Sequence, residues 1–273
     1  MSSQLRPGNS YFEEVRALHP EWSDEQVIVG ICAGLLDDAE ALPPVNELIL
    51  ASLCGIAEVR EVAQEHAGML ACVDGRLVAT VNALDGRDRR RFTVLHEAGH
   101  TLLPGFDRET VHHRCAGPAN REERLADLAA AELLLPRRFF VPDIAVCGPS
   151  LADVAELAAR YQASIQATAL RMVALWHRSA ALLAFKLATK PTRPSDAPAP
   201  RLQWGYTGGG AWPAYLPHKS VPGGSAVGRA LDGEVVDETA DVDELFARSP
   251  GVQRVQARRF GATCLVLLTA PGS

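Results

Sequence analysis

The first quarter of the chain carries apolar residues at helical spacing. Ser23 and Gln26 form a capping box, and apolar positions follow at Val27, Ile31 and Leu35. A second helix is predicted over residues 44–53. Residues 56–62 fit either a strand or a continued helix, and we favour a strand. Residues 1–67 are therefore predicted to be mainly helical.

The pattern changes at Gly68, where two short apolar runs flank Asp74-Gly75. Asp-Gly between such runs is a strong signal for a β-hairpin with a two-residue turn. The second run, residues 77–84, is the candidate edge strand on which an extended peptide could pair through its main chain. A plain core hairpin fits the same residues equally well.

The helix predicted after the hairpin contains His96-Glu97-Ala98-Gly99-His100. Residues four apart lie on one helix face, so both imidazoles can reach one metal ion while Glu97 acts on a bound water. Two histidines, a third ligand and one open position are typical of catalytic Zn²⁺, although Mn²⁺ and Fe²⁺ are also compatible. Gly99 costs the helix about 1 kcal/mol relative to alanine, so a close neighbouring backbone or an uncrowded metal is expected there.

A third ligand is predicted on the next helix, over residues 120–136. Glu123 is favoured because a carboxylate suits Zn²⁺, and Asp127, one turn on, is placed to accept the free N–H of a ligating histidine. Asn120 followed by Glu123 also fits a capping box, in which Glu123 serves only the helix start. Glu122 is the main competing carboxylate.

Peptide hydrolysis also needs a donor for the tetrahedral oxyanion. The candidate donors are His112, His113, Tyr161 and His177. The sequence does not rank them, and the double histidine equally fits an exposed loop or a weak surface metal site.

Residues 151–161 and 164–172 are predicted as two helices joined by a short turn, a helix-turn-helix pattern within 150–178. The second helix offers only Ser164, Gln166, Thr168 and Arg171 for reading bases. The formal net charge of −6 gives no basic field for nucleic acid. A helical pair packed on the catalytic core is therefore favoured, and direct DNA binding is not expected.

The six cysteines are scattered and include no C-x-x-C pair, so they do not form a disulfide framework. The first residues lack the basic and apolar regions of a signal sequence. No apolar run reaches the length of about 18 residues that suggests a membrane span. A cytoplasmic protein without membrane association is expected, and no oligomeric state is predicted.

These patterns predict an α+β protein of two domains. Residues 1–187 form a mainly helical, zincin-like metallopeptidase domain with a small antiparallel sheet and the helix-turn-helix-like pair. Residues 188–200 are rich in proline and are predicted to be an extended linker. Residues 201–273 form a small α+β domain with strands at 253–259 and 263–269 and a short helix near 242–247, and its aromatic residues are predicted to fill a small core.

The span from about residue 82 to residue 171 resembles the ImmA/IrrE family of bacterial metallopeptidases. The resemblance is carried by Arg91-Phe92-Thr93, by the His96 to His100 motif and by the stretch from Glu123 to Pro136. It implies that Glu123 is the third ligand, counted back from Leu-Leu-Leu-Pro136. The family often carries asparagine where this chain has Asp127.

The resemblance implies a site-specific protease that cleaves a helix-turn-helix repressor and so releases stress-response or mobile-element genes. Residues 201–273 lie where some members carry a sensor-like domain, and such a domain could gate the protease. In the predicted reaction Glu97 moves the proton of the attacking water. The alternative is a DNA-binding or protein-binding transcriptional regulator with a structural or vestigial zinc site. Retention of Glu97 argues against it, because a structural site has no use for a general base.

Overall fold

The computed structural model describes residues 10–106, 112–113, 120–209 and 212–271. The chain divides into two compact units. The first comprises Met1–Phe139 with Ala159–Ser164, and the second comprises Phe140–Ala158 with Ile165–Ser273. Both contain helices and sheet, which confirms the predicted α+β class.

Among the residues that the structure describes, five helices lie wholly within the first unit. They are α1 (Ser10–Leu18), α2 (Asp24–Asp38), α3 (Glu47–Leu53), α4 (Arg87–His100) and α5 (Arg121–Leu134). The predicted capping box is present at the start of α2, with Ser23 and Gln26 bonded reciprocally. The next helix is shorter than predicted, because the side chain of Asn46 accepts from the backbone of Leu48 and Ile49 and fixes the start.

The first unit also holds a four-stranded sheet in the order β1-β3-β2-β4. Its strands are β1 (Ile56–Val62), β2 (Gly68–Val73), β3 (Arg76–Asn82) and β4 (His112–His113). The predicted hairpin is confirmed: Asp74 and Gly75 both have positive φ, 50° and 74°, as a type I′ turn requires.

The prediction that residues 77–84 form the sheet edge is wrong. Strand β3 pairs in parallel with β1 on one side and antiparallel with β2 on the other. The parallel pairing also makes the sheet mixed rather than purely antiparallel. A central strand has no free main-chain groups for a peptide, so β3 cannot be extended by one. The strand predicted at Ile56–Val62 is confirmed as β1. Its position beside β3 could not be predicted from the hairpin alone.

Helix α4 is the centre of the first unit. It packs against α5, α3, β2 and β3, and α2 also packs against α5. The α2 residues Val27, Ile28 and Ile31 are fully or almost fully buried. Burial of such side chains from water is the main source of stability for these helices.

The second unit is built on a five-stranded antiparallel sheet in the order β6-β5-β9-β8-β7. Its strands are β5 (Ala180–Ala188), β6 (Ala199–Gly208), β7 (Val236–Asp241), β8 (Val252–Phe260) and β9 (Thr263–Thr269). The predicted strand pair near the C-terminus is confirmed as β8 and β9. The predicted helix near residues 242–247 is only a short 3₁₀ turn, Asp243–Leu245. Helix α9 (Ala226–Leu231) packs on β8 and β9.

Three further helices lie in the second half of the chain: α6 (Arg137–Cys147), α7 (Leu151–Tyr161) and α8 (Ile165–Leu175). The last two are the predicted helix-turn-helix-like pair, with Gln162 at positive φ in the turn. Within the second unit, the Gln256 side chain accepts from the Leu151 backbone and donates to the Pro149 carbonyl, at 2.9 and 3.3 Å. These bonds attach the start of α7 to strand β8.

The structure divides the chain differently from the predicted boundary at residues 188–200. That proline-rich segment connects β5 to β6, which are paired antiparallel neighbours in one sheet. The apolar residues of β5 are buried from Ala180 to Phe185, so this strand belongs to the core of the second unit. In that core Trp212 and Tyr215 are partly buried and pack against the buried cluster.

Helices long and apolar enough to cross a membrane are absent from the part of the chain that the structure describes.

Candidate metal centre

The two motif histidines converge as the helical spacing predicts. His96 and His100 are 0% and 2% exposed, and they lie one turn apart on the buried face of α4. Their Nε2 atoms are 3.2 Å apart, and the rings meet edge to face. Two imidazole nitrogens so close and so deeply buried are placed to form one side of a metal site.

Helix α5 brings a carboxylate to the same place. The Oε2 atom of Glu123 lies 3.3 Å from His96 Nε2, and its Oε1 lies 3.5 Å from His100 Nε2. The backbone N–H of Glu123 donates to the Asn120 side chain at 2.9 Å, which caps the helix. Glu123 therefore belongs to the cap through its backbone and to the cluster through its side chain.

The three side chains fit a tetrahedral metal ion. With ligand distances of about 2.05 Å, the edges of a tetrahedron around zinc are about 3.3 Å long. The distances among the two histidines and Glu123 are 3.2, 3.3 and 3.5 Å. Within the described residues this is the one group of at least three such side chains able to hold a metal, with all ligand atoms within 4.8 Å of one another.

The electrostatics of the cluster favour an ionised carboxylate. A hydrogen bond from His96 is the largest cause that lowers the pKa of Glu123, and partial burial opposes it. An ionised Glu123 is the form that binds a cation. Glu122 is exposed and lies outside the cluster, so the structure favours Glu123 between the two carboxylates.

Gly99 explains how α5 comes close enough to supply this ligand. A Cβ added to Gly99 would lie 2.9 Å from the carbonyl oxygen of Ala126 and 3.1 Å from the Cβ of Ala129. The missing side chain therefore lets the backbones of α4 and α5 approach each other. This is the close neighbouring backbone expected for a glycine inside the motif helix.

Asp127 lies beside the first histidine, one turn after Glu123. Its Oδ1 is 2.8 Å from His96 Nδ1. An aspartate at this distance accepts the Nδ1 proton, so that Nε2 would present its lone pair to a bound metal ion once the ion has replaced the Nε2 proton. The predicted supporting contact is therefore present in the geometry.

Glu97 points to the sheet side of α4. Its side chain is 0% exposed, and its Oε1 lies close to Gly68, the first residue of β2. A carboxylate buried next to a metal ligand is available for proton transfer. Sequence reasoning assigned no role to Gly68, because the contact depends on how β2 packs across the helix.

The candidate oxyanion donors are spread over the chain. The backbones of His112 and His113 pair with Leu70 and Met69, while their side chains lie outside the described residues. Tyr161 is fully buried in the first unit. His177 is exposed in the second unit, with its ring 4.6 Å from that of Trp176. The choice among these four stays a prediction.

Arg91 is a second residue whose role the sequence did not reveal. It is 3% exposed, and its guanidinium donates to Glu47 at 2.9 Å and to the carbonyl of Tyr161 at 2.9 Å. Further bonds reach the carbonyls of Gln162 and Val45. Arg91 thus joins α4 to the start of α3 and to the turn after α7.

Comparison with known proteins agrees with the site. Residues 60–173 match the model of the M78 peptidase family described as the IrrE N-terminal-like domain. The radiation response metalloprotease IrrE of Deinococcus radiodurans is 33% identical over 91 residues, which cover 32% of this chain and 28% of that protein. The matched segment is thus under a third of either chain.

A solved structure, a Mycobacterium tuberculosis transcriptional regulator, is similar over most of the chain. It has a TM-score of 0.56 and 14% identity, and the similarity covers 95% of this chain and 80% of that one. At this identity the likeness concerns the fold alone. The family match includes all three residues of the cluster, so residues 60–173 of this chain are similar to the IrrE N-terminal-like domain of the M78 metallopeptidases.

Proposed function

We propose that this protein is a zinc-dependent endopeptidase that cuts a helix-turn-helix transcriptional repressor at one site. The observation that carries the proposal is the group of two buried histidines, His96 and His100, with the partly buried Glu123, whose mutual distances match a tetrahedral ion. Two histidines and a glutamate with an adjacent Glu97 correspond to the gluzincin type of site. Such a site leaves one position open for the reaction.

Each residue of the site has a distinct task in this proposal. The cluster holds the ion, and Asp127 keeps the His96 ring in the tautomer that presents Nε2. A bound Zn²⁺ would supply Lewis acidity, polarising the peptide carbonyl and acidifying a water. Glu97 takes the proton from the attacking water on its carboxylate and passes it to the nitrogen of the leaving amine. Burial of Glu97 excludes bulk solvent from that transfer.

The substrate class rests on the family. Family members are expected to act on repressors, and the printed name of the similar protein connects it with the radiation response. Cleavage of a repressor would release stress-response or mobile-element genes. Because β3 is the central strand of its sheet, the substrate segment must lie elsewhere than on residues 77–84.

The proposed substrate is tested by incubating the protein with helix-turn-helix repressors from the same genome, beginning with any that is encoded beside it, and measuring the intact masses. One discrete cut that chelation abolishes and Zn²⁺ restores would support the proposal. Equal cutting in the presence and absence of chelator would contradict a metal-dependent reaction. Cleavage at many sites would contradict the site-specific character.

The second candidate function is a transcriptional regulator with a structural zinc site. The α7–α8 pair, which has the helix-turn-helix pattern, is the feature that favours it. A structural site usually has four protein ligands, whereas the described cluster has three and a buried Glu97 beside them. This arrangement favours the peptidase.

A further inference from the structure

Gly68 lies against the face of α4 that carries Glu97 and Thr93. A Cβ built on Gly68 would lie 2.4 Å from Glu97 Oε1, 2.4 Å from Thr93 Cγ2 and 3.2 Å from Glu97 Cδ. Non-bonded carbon atoms pack at about 3.5–4.0 Å. Any other residue at position 68 would therefore overlap the carboxylate of Glu97.

We propose that Gly68 is a positioning residue: its missing side chain reserves the space in which the Glu97 carboxylate is held for proton transfer. The proposal rests on the proposed function, in which Glu97 is the general base. Strand β2 would then position the general base, a role distinct from that of the metal ligands.

The strand and the threonine have little freedom to make room. Thr93 is 1% exposed and its hydroxyl donates to the Arg89 carbonyl at 3.0 Å, so this β-branched side chain is fixed. Gly68 is paired with Val81, and the carbonyl just before it accepts from Asn82 at 3.0 Å. An added methyl group would therefore press against Thr93 Cγ2 and displace the longer and more flexible Glu97 side chain.

This displacement would leave the metal ligands in place. The three atoms nearest to the added methyl group belong to Glu97 and Thr93, and none belongs to His96, His100 or Glu123. A general base must lie about 2.6–3.2 Å from the proton that it takes. Gly68→Ala should therefore impair proton transfer and spare metal binding.

The contact itself is tested without any substrate. Melting temperatures are measured in the presence of a chelator for four proteins that all carry Thr93→Ser: one without further change, one with Gly68→Ala, one with Glu97→Ala and one with both. Thr93→Ser removes Cγ2, which lies as close to the added methyl group as Glu97 Oε1 does, and keeps the hydroxyl. Gly68→Ala is expected to lower Tm by about 2–8 °C, the effect of overpacking a core. In the Glu97→Ala background at least half of this loss should disappear, because the carboxylate that occupies the space is gone. An equal loss in both backgrounds would overturn the proposal.

The catalytic consequence is tested on the Zn²⁺-loaded protein with the repressor. Gly68→Ala is expected to keep the metal content and to lower kcat about 10–100-fold, with KM within about twofold of wild type. Gly86→Ala is the matched control, because an added Cβ there meets no atom within 4 Å and φ is an ordinary −60°. A wild-type kcat for Gly68→Ala would overturn the proposal.

Two outcomes separate this proposal from the proposed function. If the wild-type protein cuts no repressor, the peptidase account fails, while the melting temperatures still decide whether Gly68 makes room for Glu97. If Gly68→Ala does not fold, Gly68→Ala combined with Thr93→Ser and Glu97→Asp should restore folding, since Cγ2 is then absent and aspartate is one methylene shorter. Failure of that combination to fold would count against the proposal.

Discussion

At the scale of single residues, the site combines groups that come from local and from distant sequence. His96, Glu97 and His100 were predictable because helical spacing alone places the two imidazoles on one face. Glu123 needed a second helix at the correct distance, and Gly99 sets that distance through its contact with Ala126. The role of Gly68 could not be predicted, because nothing near it in sequence indicates which side chain its strand packs against.

Glu123 should make the stability of the metal-free protein depend on pH. Its folded-state pKa lies below the ordinary 4.5, chiefly because of the hydrogen bond from His96. A carboxyl group with a lowered folded pKa stabilises the fold fully above its unfolded pKa, and this contribution is lost as the pH falls through the folded pKa.

Urea unfolding of the metal-free protein between about pH 5.5 and pH 3.5 measures this effect. The wild-type protein should lose more free energy of unfolding across that range than Glu123→Gln. Parallel pH profiles for the two proteins would show that Glu123 is not held in its ionised form by the cluster.

At the scale of secondary-structure elements, local sequence signals predicted the individual elements, whereas the arrangement of those elements depends on tertiary contacts. The Asp74-Gly75 turn indicated the hairpin, but the central place of β3 depends on a parallel partner, β1, which lies before the hairpin in sequence. Because parallel strands are not joined by a tight turn, nothing in the sequence indicated that β1 pairs with β3. Residues 77–84 were therefore expected to form an edge strand. The role of Arg91 could not be predicted either, because its acceptors Val45 and Tyr161 lie 46 and 70 positions away in the sequence.

Replacement of Arg91 should destabilise the first unit strongly. Arg91→Met keeps the length of the side chain and leaves the carbonyls of Val45, Tyr161 and Gln162 without this donor. Removing one partner of a buried charged network costs about 3–5 kcal/mol. Chemical denaturation measures the loss.

Arg60→Met is the matched control for this variant. Arg60 pairs with Glu58 at 2.7 Å, and both side chains are about half exposed (48% and 45%), so its loss should leave the free energy of unfolding almost unchanged. Similar losses for the two variants would contradict a special role for Arg91 in joining α3, α4 and the turn after α7.

At the scale of the whole molecule, the described chain contains two compact units rather than two domains joined at residues 188–200. Composition identified that segment as extended and proline-rich, but composition does not tell which elements a segment connects. Here it connects β5 to its neighbour β6, and β5 also pairs with β9 on its other side. The strongly apolar run from Ala180 to Phe185 is the signal that could have indicated a central strand.

Truncation at the predicted boundary should therefore fail. Residues 1–187 would retain most of β5 without β6 and β9, exposing its buried apolar side chains and both of its edges. Such an edge aggregates readily. The fragment should appear in the insoluble fraction or in large aggregates by size-exclusion chromatography, under conditions where the full-length protein does not. A monodisperse fragment with an intact fold would contradict this division of the chain.

The central claim is that His96, His100 and Glu123 hold a metal ion on which Glu97 performs proton transfer. It is tested most directly by measuring metal content and repressor cleavage side by side for the wild-type protein and Glu97→Gln. The account predicts about one zinc ion per chain in both proteins, together with a loss of at least about 100-fold in cleavage rate for Glu97→Gln. Cleavage at the wild-type rate by Glu97→Gln would contradict the mechanism, and a wild-type protein that binds no metal would contradict the site itself.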